Sequence, residues 1–176
     1  MIFSETPLSG GWLIKSEPKM DARGAFARTF CAQEFAQHDL EHSFVQANIS
    51  TNENAGTVRG LHFQKEPHTE VKLVRCVKGA IFDVMVDLRR ESPTYLKWFG
   101  AELSEGNHLM MYVPKGFAHG YQALTDGATV SYLVSEFYVP GAEAGCRFDD
   151  PLLSIRWPHP PGALSDKDRA WPLLHP

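Results

Sequence analysis

Apolar and polar residues alternate along much of the chain with a period of two, which is typical of β-strands that bury one face. The alternation is clearest over residues 71–88, where a single turn at Lys78-Gly79 interrupts it. Similar but shorter stretches follow one another at intervals of about ten residues, with turn-forming residues between them. We therefore predict further strands at 44–49, 97–103, 108–113, 119–123 and 130–137.

The regular spacing of these strands favours an all-β sandwich or barrel over a fold that alternates strands with helices. One short helix is predicted at 32–37, where Phe35 and Ala36 can face a core. The 176 residues suffice for one domain, residues 1–176, and the segment from about residue 158 is predicted to be a tail that is proline-rich and irregular until Leu164.

Composition narrows the class of protein further. The chain is 43% hydrophobic and 22% charged, which is enough apolar material for a sizeable core and excludes global disorder. A net charge of -4 argues against a nucleic-acid partner, and no apolar run is long enough for a membrane helix. The three cysteines form no CxxC pair, and the N-terminus lacks the features of a secretory signal. We expect a cytoplasmic protein.

Two carboxylates stand out within the longest alternating stretch. Asp83 and Asp87 share one face of the predicted strand with Met85, whereas the opposite face is apolar. If the apolar face packs on a second sheet, the aspartates face either solvent or a polar barrel interior. The alternation alone leaves both interpretations open.

Candidate chemistry concentrates in two segments. Residues 59–64, RGLHFQ, place His62 and Arg59 within one strand, although a regular strand would point them to opposite faces. The spacing Pro114-x-Gly116-x-x-His119 resembles the second conserved box of cupin barrels, in which the histidine points into the lumen. The first cupin metal box normally continues with histidine and glutamate. Here Gln64 follows instead, and an amide is a poor ligand for zinc, iron or copper, so a metal site is disfavoured.

The order and spacing of six segments resemble the dTDP-4-dehydrorhamnose 3,5-epimerase family over residues 18–174. The segments are DARG at 21–24, RGLHFQ at 59–64, KLVRCVKGAIFDVMVDLR at 72–89, ESPTY at 91–95, VPKGFAHGY at 113–121 and LSDKD at 164–168. The resemblance implies a homodimeric, cupin-fold sugar-nucleotide epimerase that needs no metal or other cofactor.

The resemblance also implies four catalytic roles. His62 corresponds to the proton acceptor and Asp168 to the carboxylate that orients it, although Asp83 competes for this second role on the residues alone. Lys72 corresponds to the residue that stabilises the enolate oxygen, and Tyr132 to the proton donor on the opposite face of the sugar. The corresponding substrate and phosphate contacts are Arg23, Gln46, Asn48, Arg59, His119, Tyr138, Glu143 and Lys167.

Two positions depart from the family pattern. Arg28 stands where a glutamate is usual, and Leu133 follows the catalytic tyrosine where lysine is common. Both leave the catalytic set intact but bear on which nucleotide and sugar are bound. The alternatives are a C3-only or C5-only epimerase of another activated 4-keto sugar, a metal-dependent cupin enzyme, or a sugar-nucleotide binding module without catalysis.

Overall fold

The computed structural model describes residues 1–175, which form thirteen strands and two short helices. The last residue of the predicted domain, 176, lies outside this range. No helix in the described range is long and apolar enough to cross a membrane. The elements are β1 Ile2–Glu5, β2 Trp12–Lys15, β3 Lys19–Asp21, β4 Gly24–Phe26, α1 Ala32–Ala36, β5 Gln46–Thr51, β6 Val58–Gln64, β7 Lys72–Lys78, β8 Ala80–Asp87, β9 Trp98–Ser104, β10 Leu109–Val113, β11 Phe117–Ala123, β12 Thr129–Val134, β13 Glu143–Gly145 and α2 Asp166–Ala170.

Eleven strands form two antiparallel sheets. The six-stranded sheet has the order β1-β2-β10-β7-β12-β5, and the five-stranded sheet has the order β13-β6-β11-β8-β9. Strands β3 and β4 form a separate hairpin. This confirms the predicted all-β fold of the jelly-roll type with short helices. In the C-terminal tail, α2 begins just after Leu164, at Asp166.

Apolar side chains fill three layers. The central layer lies between the sheets and includes Ile81 and Met85 of β8. The outer face of the six-stranded sheet packs around Phe35 of α1. The outer face of the five-stranded sheet packs against the C-terminal segment, including Leu153 and Trp157. Each sheet is therefore buried on both faces over much of its area.

This layering decides between the two interpretations of β8. Asp83 is fully buried and shares the inward face with Met85, so it belongs to the interior of the sandwich. The opposite face of β8, with Val84 and Val86, packs under the C-terminal segment. The apolar face of β8 therefore packs on the C-terminal segment and not on a second sheet.

Asp87 anchors the loop that follows β8. Its buried carboxylate accepts hydrogen bonds from Arg89 Nη2 at 2.7 Å, Ser92 Oγ at 2.5 Å and Thr94 Oγ1 at 2.7 Å. Burial by itself raises the pKa of Asp87, but these hydrogen bonds outweigh burial and bring the pKa to about 2. The carboxylate is therefore charged in the folded protein at neutral pH.

We expect this carboxylate to make folding sensitive to acid. A folded-state pKa below the ordinary value stabilises the protein above pH 4, and this stabilisation, about 2 kcal/mol, is lost as the pH falls towards 2. Asp87→Asn should lower the free energy of unfolding at pH 7 and flatten its decline between pH 5 and 2. Urea unfolding of both proteins across that range measures this, and identical pH slopes would contradict it.

Candidate active site

A histidine–carboxylate pair joins β6 to the C-terminal helix. His62 Nε2 and Asp168 Oδ1 are 2.5 Å apart, and the N–H of Gly60 donates to Asp168 Oδ2 at 3.3 Å. Burial acts to raise the pKa of Asp168, but the contacts with His62 and Gly60 outweigh it and hold the pKa below its usual range. An ionised carboxylate can only accept, so Nε2 carries a proton, and in the neutral imidazole Nδ1 then has the lone pair.

The helix that carries Asp168 has a defined start. Ser165 is its N-cap residue, and the Ser165 hydroxyl accepts a hydrogen bond from the Asp168 N–H at 3.0 Å. The ring of Trp171, just after α2, meets the ring of His62 edge to face at a centroid distance of 6.2 Å. Local capping and this aromatic contact together fix the carboxylate behind the imidazole.

Strand register brings a second histidine beside the first. His62 and His119 are cross-strand partners in β6 and β11, so their side chains share the inward face of the sheet. The strands approach closely because both carry glycine. A Cβ atom on Gly60 would lie 2.6 Å from the Cα of Gly120.

The pairing of β6 with β11 shifts register between His119 and Tyr121, a β-bulge. The bulge lets Arg59 line the same cavity as His62, although a regular strand would point them to opposite faces. Arg59 is held there through Nε, which donates to Asn52 Oδ1 at 2.9 Å.

The opposite sheet contributes Lys72 and Tyr132. In β12, Tyr132 lies opposite Asn48, and Val134 lies opposite Lys72 and Gln46, so all these side chains share one face. That face meets His62 across a cavity of about 270 Å³, and an adjoining cavity of about 200 Å³ reaches Arg59 and His119. His62, Lys72 and Tyr132 line both cavities, which we call the hollow.

The phenol of Tyr132 is kept protonated by its surroundings. Burial raises the pKa of Tyr132, and the neighbouring Tyr121 and the negative charge of Glu70 raise it further. A protonated phenol that faces the hollow can act as a general acid.

Lys72 forms an ion pair with Glu70, and both side chains line the hollow. The other oxygen of Glu70, Oε2, accepts a hydrogen bond from Gln64 Nε2 at 2.9 Å. The prediction from motifs missed Glu70 as a site residue. The signal was present, because side chains two residues apart in an extended chain point to the same side.

Asp83 pairs with His119 and not with His62. Its Oδ1 lies 2.8 Å from His119 Nε2, and both side chains are buried. Burial raises the pKa of Asp83, and the contact with His119 offsets this only in part. Of the two aspartates, Asp168 is therefore the one that contacts His62.

The mouth of the hollow carries four of the predicted binding residues. Gln46 Oε1 accepts a hydrogen bond from the Tyr138 N–H at 2.7 Å, and the Tyr138 hydroxyl donates to Glu143 Oε2 at 3.3 Å. Glu143 forms an ion pair with Lys167, whose ammonium lies 5.6 Å from the centre of the Trp171 ring. This rim combines an exposed aromatic ring with both signs of charge.

Arg23 is the predicted site residue that does not join the others. It lies on the exposed β3–β4 hairpin, is 90% exposed and pairs with Asp21 at 2.6 Å. Neither cavity of the hollow includes it. Within residues 1–175, no three His, Cys, Asp or Glu side chains converge as metal ligands.

Comparison with known proteins shows which proteins the chain is similar to. A family model described as dTDP-4-dehydrorhamnose 3,5-epimerase matches residues 5–176. A dTDP-4-dehydrorhamnose 3,5-epimerase of Methanothermobacter thermautotrophicus is 44% identical, covering 98% of this chain and 94% of that protein. The crystal structure of the Bacillus anthracis dTDP-4-dehydrorhamnose 3,5-epimerase, with TDP and pyrophosphate bound, aligns with a TM-score of 0.95 at 43% identity, covering 98% of this chain and 99% of the other.

The chain belongs to the dTDP-4-dehydrorhamnose 3,5-epimerase family. Relatives of this family differ in the number of centres that their names specify. The dTDP-4-dehydrorhamnose 3-epimerase of Streptomyces niveus is 40% identical, covering 95% of this chain and 81% of that protein. Membership of the 3,5-epimerase family thus fixes the class of chemistry more firmly than the number of inverted carbons.

The two departures from the family pattern lie away from the hollow. Leu133 packs in the outer layer around Phe35, on the opposite face of β12 from Tyr132. Arg28 is exposed and pairs with Glu34 at 3.0 Å, which also binds the N-terminal amine of Met1 at 2.9 Å. Neither side chain is among those that line the hollow in the described part of the chain.

Proposed function

We propose that the protein inverts C3 and C5 of a nucleotide-linked 4-keto-6-deoxyhexose, converting dTDP-4-dehydro-6-deoxyglucose to dTDP-4-dehydrorhamnose without a metal or other cofactor. The observation that carries the proposal is the pairing of His62 with Asp168 on one side of a hollow whose other side holds Tyr132. A base and an acid on opposite walls are what inversion of a carbon centre requires.

The chemistry follows from the ketone at C4. It acidifies the protons on C3 and C5, because the resulting carbanion is delocalised as an enolate. His62 Nδ1 accepts the proton, and the Asp168 carboxylate stabilises the imidazolium that forms. The ammonium of Lys72 stabilises the charge that develops on the enolate oxygen. Tyr132 then donates a proton to the other face of the ring, which inverts the centre.

The remaining residues bind the substrate in this proposal. Asn48, Arg59 and His119 line the hollow and supply donors for sugar hydroxyls and phosphate oxygens. Tyr138 at the rim offers an exposed ring for a base, flanked by Glu143 and Lys167. The relative from Bacillus anthracis binds TDP, which supports a thymidine nucleotide here.

The decisive experiment is exchange with solvent deuterium. Purified protein is incubated in deuterium oxide with dTDP-4-dehydro-6-deoxyglucose, and the sugar is followed by NMR and mass spectrometry. We expect deuterium at both C3 and C5 and accumulation of dTDP-4-dehydrorhamnose. The absence of exchange and product with folded protein would refute the proposed function.

A C3-only epimerase is the second candidate, and the 3-epimerase of Streptomyces niveus among the relatives favours it. The same experiment separates the two candidates, because deuterium confined to C3 identifies the single-centre enzyme. Repeating it with CDP- and GDP-linked 4-keto sugars tests the nucleotide.

We propose that the protein is a homodimer in which the β3–β4 hairpin reaches the partner subunit. Met20 and Phe26 on this hairpin are 74% and 72% exposed, which is unusual for large apolar side chains. The outer edge of β5, beside the hollow, has no neighbouring strand in the described sheet. Arg23 on the same hairpin contacts substrate only if it acts in a second subunit.

Phe26→Asp is expected to weaken the dimer, raising its dissociation constant at least about tenfold, because it puts a charge into an apolar contact. Sedimentation velocity over a concentration series measures this. Leu152→Asp is the matched control, since Leu152 is also exposed but lies in the C-terminal segment. A wild-type monomer, or equal effects of the two changes, would contradict the proposed interface.

We also propose that the chain forms one domain and works in the cytoplasm. Cys31, Cys76 and Cys146 are all free thiols, which fits a reducing compartment. Cys146 is fully buried, and burial raises its pKa to about 12, so its thiol stays protonated.

A further inference from the structure

Gln64 lies two residues after His62 in β6 and makes contacts in two directions. Towards β7, its Nε2 donates to Glu70 Oε2 at 2.9 Å and lies 3.2 Å from the His68 carbonyl oxygen. Towards the rim, its Oε1 accepts from the Val139 N–H at 2.8 Å, and its Nε2 lies 3.1 Å from the Phe137 carbonyl oxygen. The side chain is buried, with an exposed fraction of 4%.

These contacts place Gln64 between two parts of the site. Glu70 is the ion-pair partner of Lys72, so the amide fixes the carboxylate that fixes the ammonium. The backbone of Phe137 and Val139 flanks Tyr138, so the same amide holds both sides of the residue that forms the rim. Tyr138 is itself exposed, and its own hydrogen bonds run from its N–H to Gln46 and from its hydroxyl to Glu143.

We propose that Gln64 is a positioning residue that sets the ammonium of Lys72 and the ring of Tyr138 at a fixed separation, as required to bind one nucleotide sugar at both ends. The inference rests on the proposed function, in which Lys72 acts on the enolate and Tyr138 binds the base. It assigns the amide, which offers a donor and an acceptor, a role that neither a carboxylate nor an apolar side chain can fill.

Gln64→Glu removes the amide N–H donor of Gln64 and keeps the shape of the side chain. The new carboxylate keeps an acceptor for the Val139 N–H but turns a lone pair towards Glu70 and the Phe137 carbonyl, where a donor stood. We expect kcat to fall about tenfold or more, because Lys72 loses its fixed position. We also expect thymidine diphosphate to bind about tenfold more weakly, because the segment around Tyr138 is released.

A double variant separates the effect of Gln64 on Lys72 from its effect on the segment around Tyr138. In Gln64→Glu/Glu70→Gln, the amide at position 70 can donate to the carboxylate at 64 and accept from Lys72. We expect this double variant to recover most of kcat but not the affinity for thymidine diphosphate, because the Phe137 carbonyl still faces an acceptor. Glu70→Gln alone should lower kcat and leave that affinity within about twofold of wild type.

Gln122→Glu is the matched control. Gln122 is a buried glutamine that holds backbone in the same manner, with Nε2 donating to the His159 carbonyl and Oε1 accepting from the His159 N–H, both at 2.9 Å. Its contacts lie away from the hollow. We expect it to lower the melting temperature without changing kcat or thymidine diphosphate affinity.

The measurements are kcat and KM by NMR, thymidine diphosphate affinity by calorimetry and melting temperature by circular dichroism. The inference is overturned if Gln64→Glu behaves like Gln122→Glu, or if the double variant recovers no kcat. Should Gln64→Glu not fold, Glu70→Gln decides alone, since unchanged kcat in that variant also overturns the inference. Loss of the proposed function is distinguishable, because the wild type itself would then show no exchange.

Discussion

His62→Asn is expected to lower the rate of epimerisation by about a thousandfold or more, the usual contribution of a positioned general base. The asparagine amide is too short to reach Asp168 from the position of Nε2, but the carboxylate keeps the Gly60 N–H as a donor, so the fold should survive. What the variant lacks is a basic nitrogen towards the hollow. Deuterium exchange at C3 and C5, measured by NMR, should fall together with product formation.

Binding separates this outcome from a general loss of structure. Thymidine diphosphate affinity should stay close to wild type, because the rim around Tyr138 and Lys167 is untouched. His42→Asn provides the control, since His42 is exposed and lines neither cavity of the hollow. Exchange that persists at the wild-type rate in His62→Asn would show that another group is the base, and a matching loss of nucleotide affinity would make His62 a structural residue.

The strands between residues 71 and 123 could be predicted because they are rich in apolar and β-branched residues, which pack on one or both faces, and because turn residues separate them. The N-terminal strands could not be predicted in the same way. Strands β3 and β4 have three residues each and every residue is exposed. Because neither strand has a buried face, packing does not impose an alternation of apolar and polar residues on their sequences. The strand predicted to reach 137 ends at Val134, where the chain turns to form the rim.

The residues of the candidate site also differ in whether a local sequence pattern could predict their contacts. His62 and Asp168 are 106 residues apart, and no local pattern links a strand to a helix at that distance. Their pairing was available only from family resemblance, which left the competition with Asp83 open on the residues alone. For Arg59 the local pattern gives the wrong result. Strand alternation predicts that Arg59 and His62 point to opposite faces, whereas the bulge beside Gly60 brings both side chains to the same cavity.

Tyr132→Phe is expected to separate proton exchange from inversion. Without the phenol, the enolate has no acid on one face, so epimerisation should fall at least about a hundredfold. His62 can still remove a proton and return one to the same face. Because the His62 side chain is 33% exposed, its imidazolium can exchange its proton with solvent before returning it.

Recovered substrate should therefore carry deuterium at C3 or C5 with its configuration retained, which NMR and mass spectrometry of the unreacted sugar will detect. Tyr112→Phe is the control, because Tyr112 packs in the outer layer and its hydroxyl accepts from the Glu41 N–H at 2.9 Å, away from the hollow. If Tyr132→Phe epimerises at the wild-type rate, the phenol is not the proton donor. If it binds thymidine diphosphate but incorporates no deuterium, Tyr132 is also needed to form the enolate, and its role is not that of a proton donor alone.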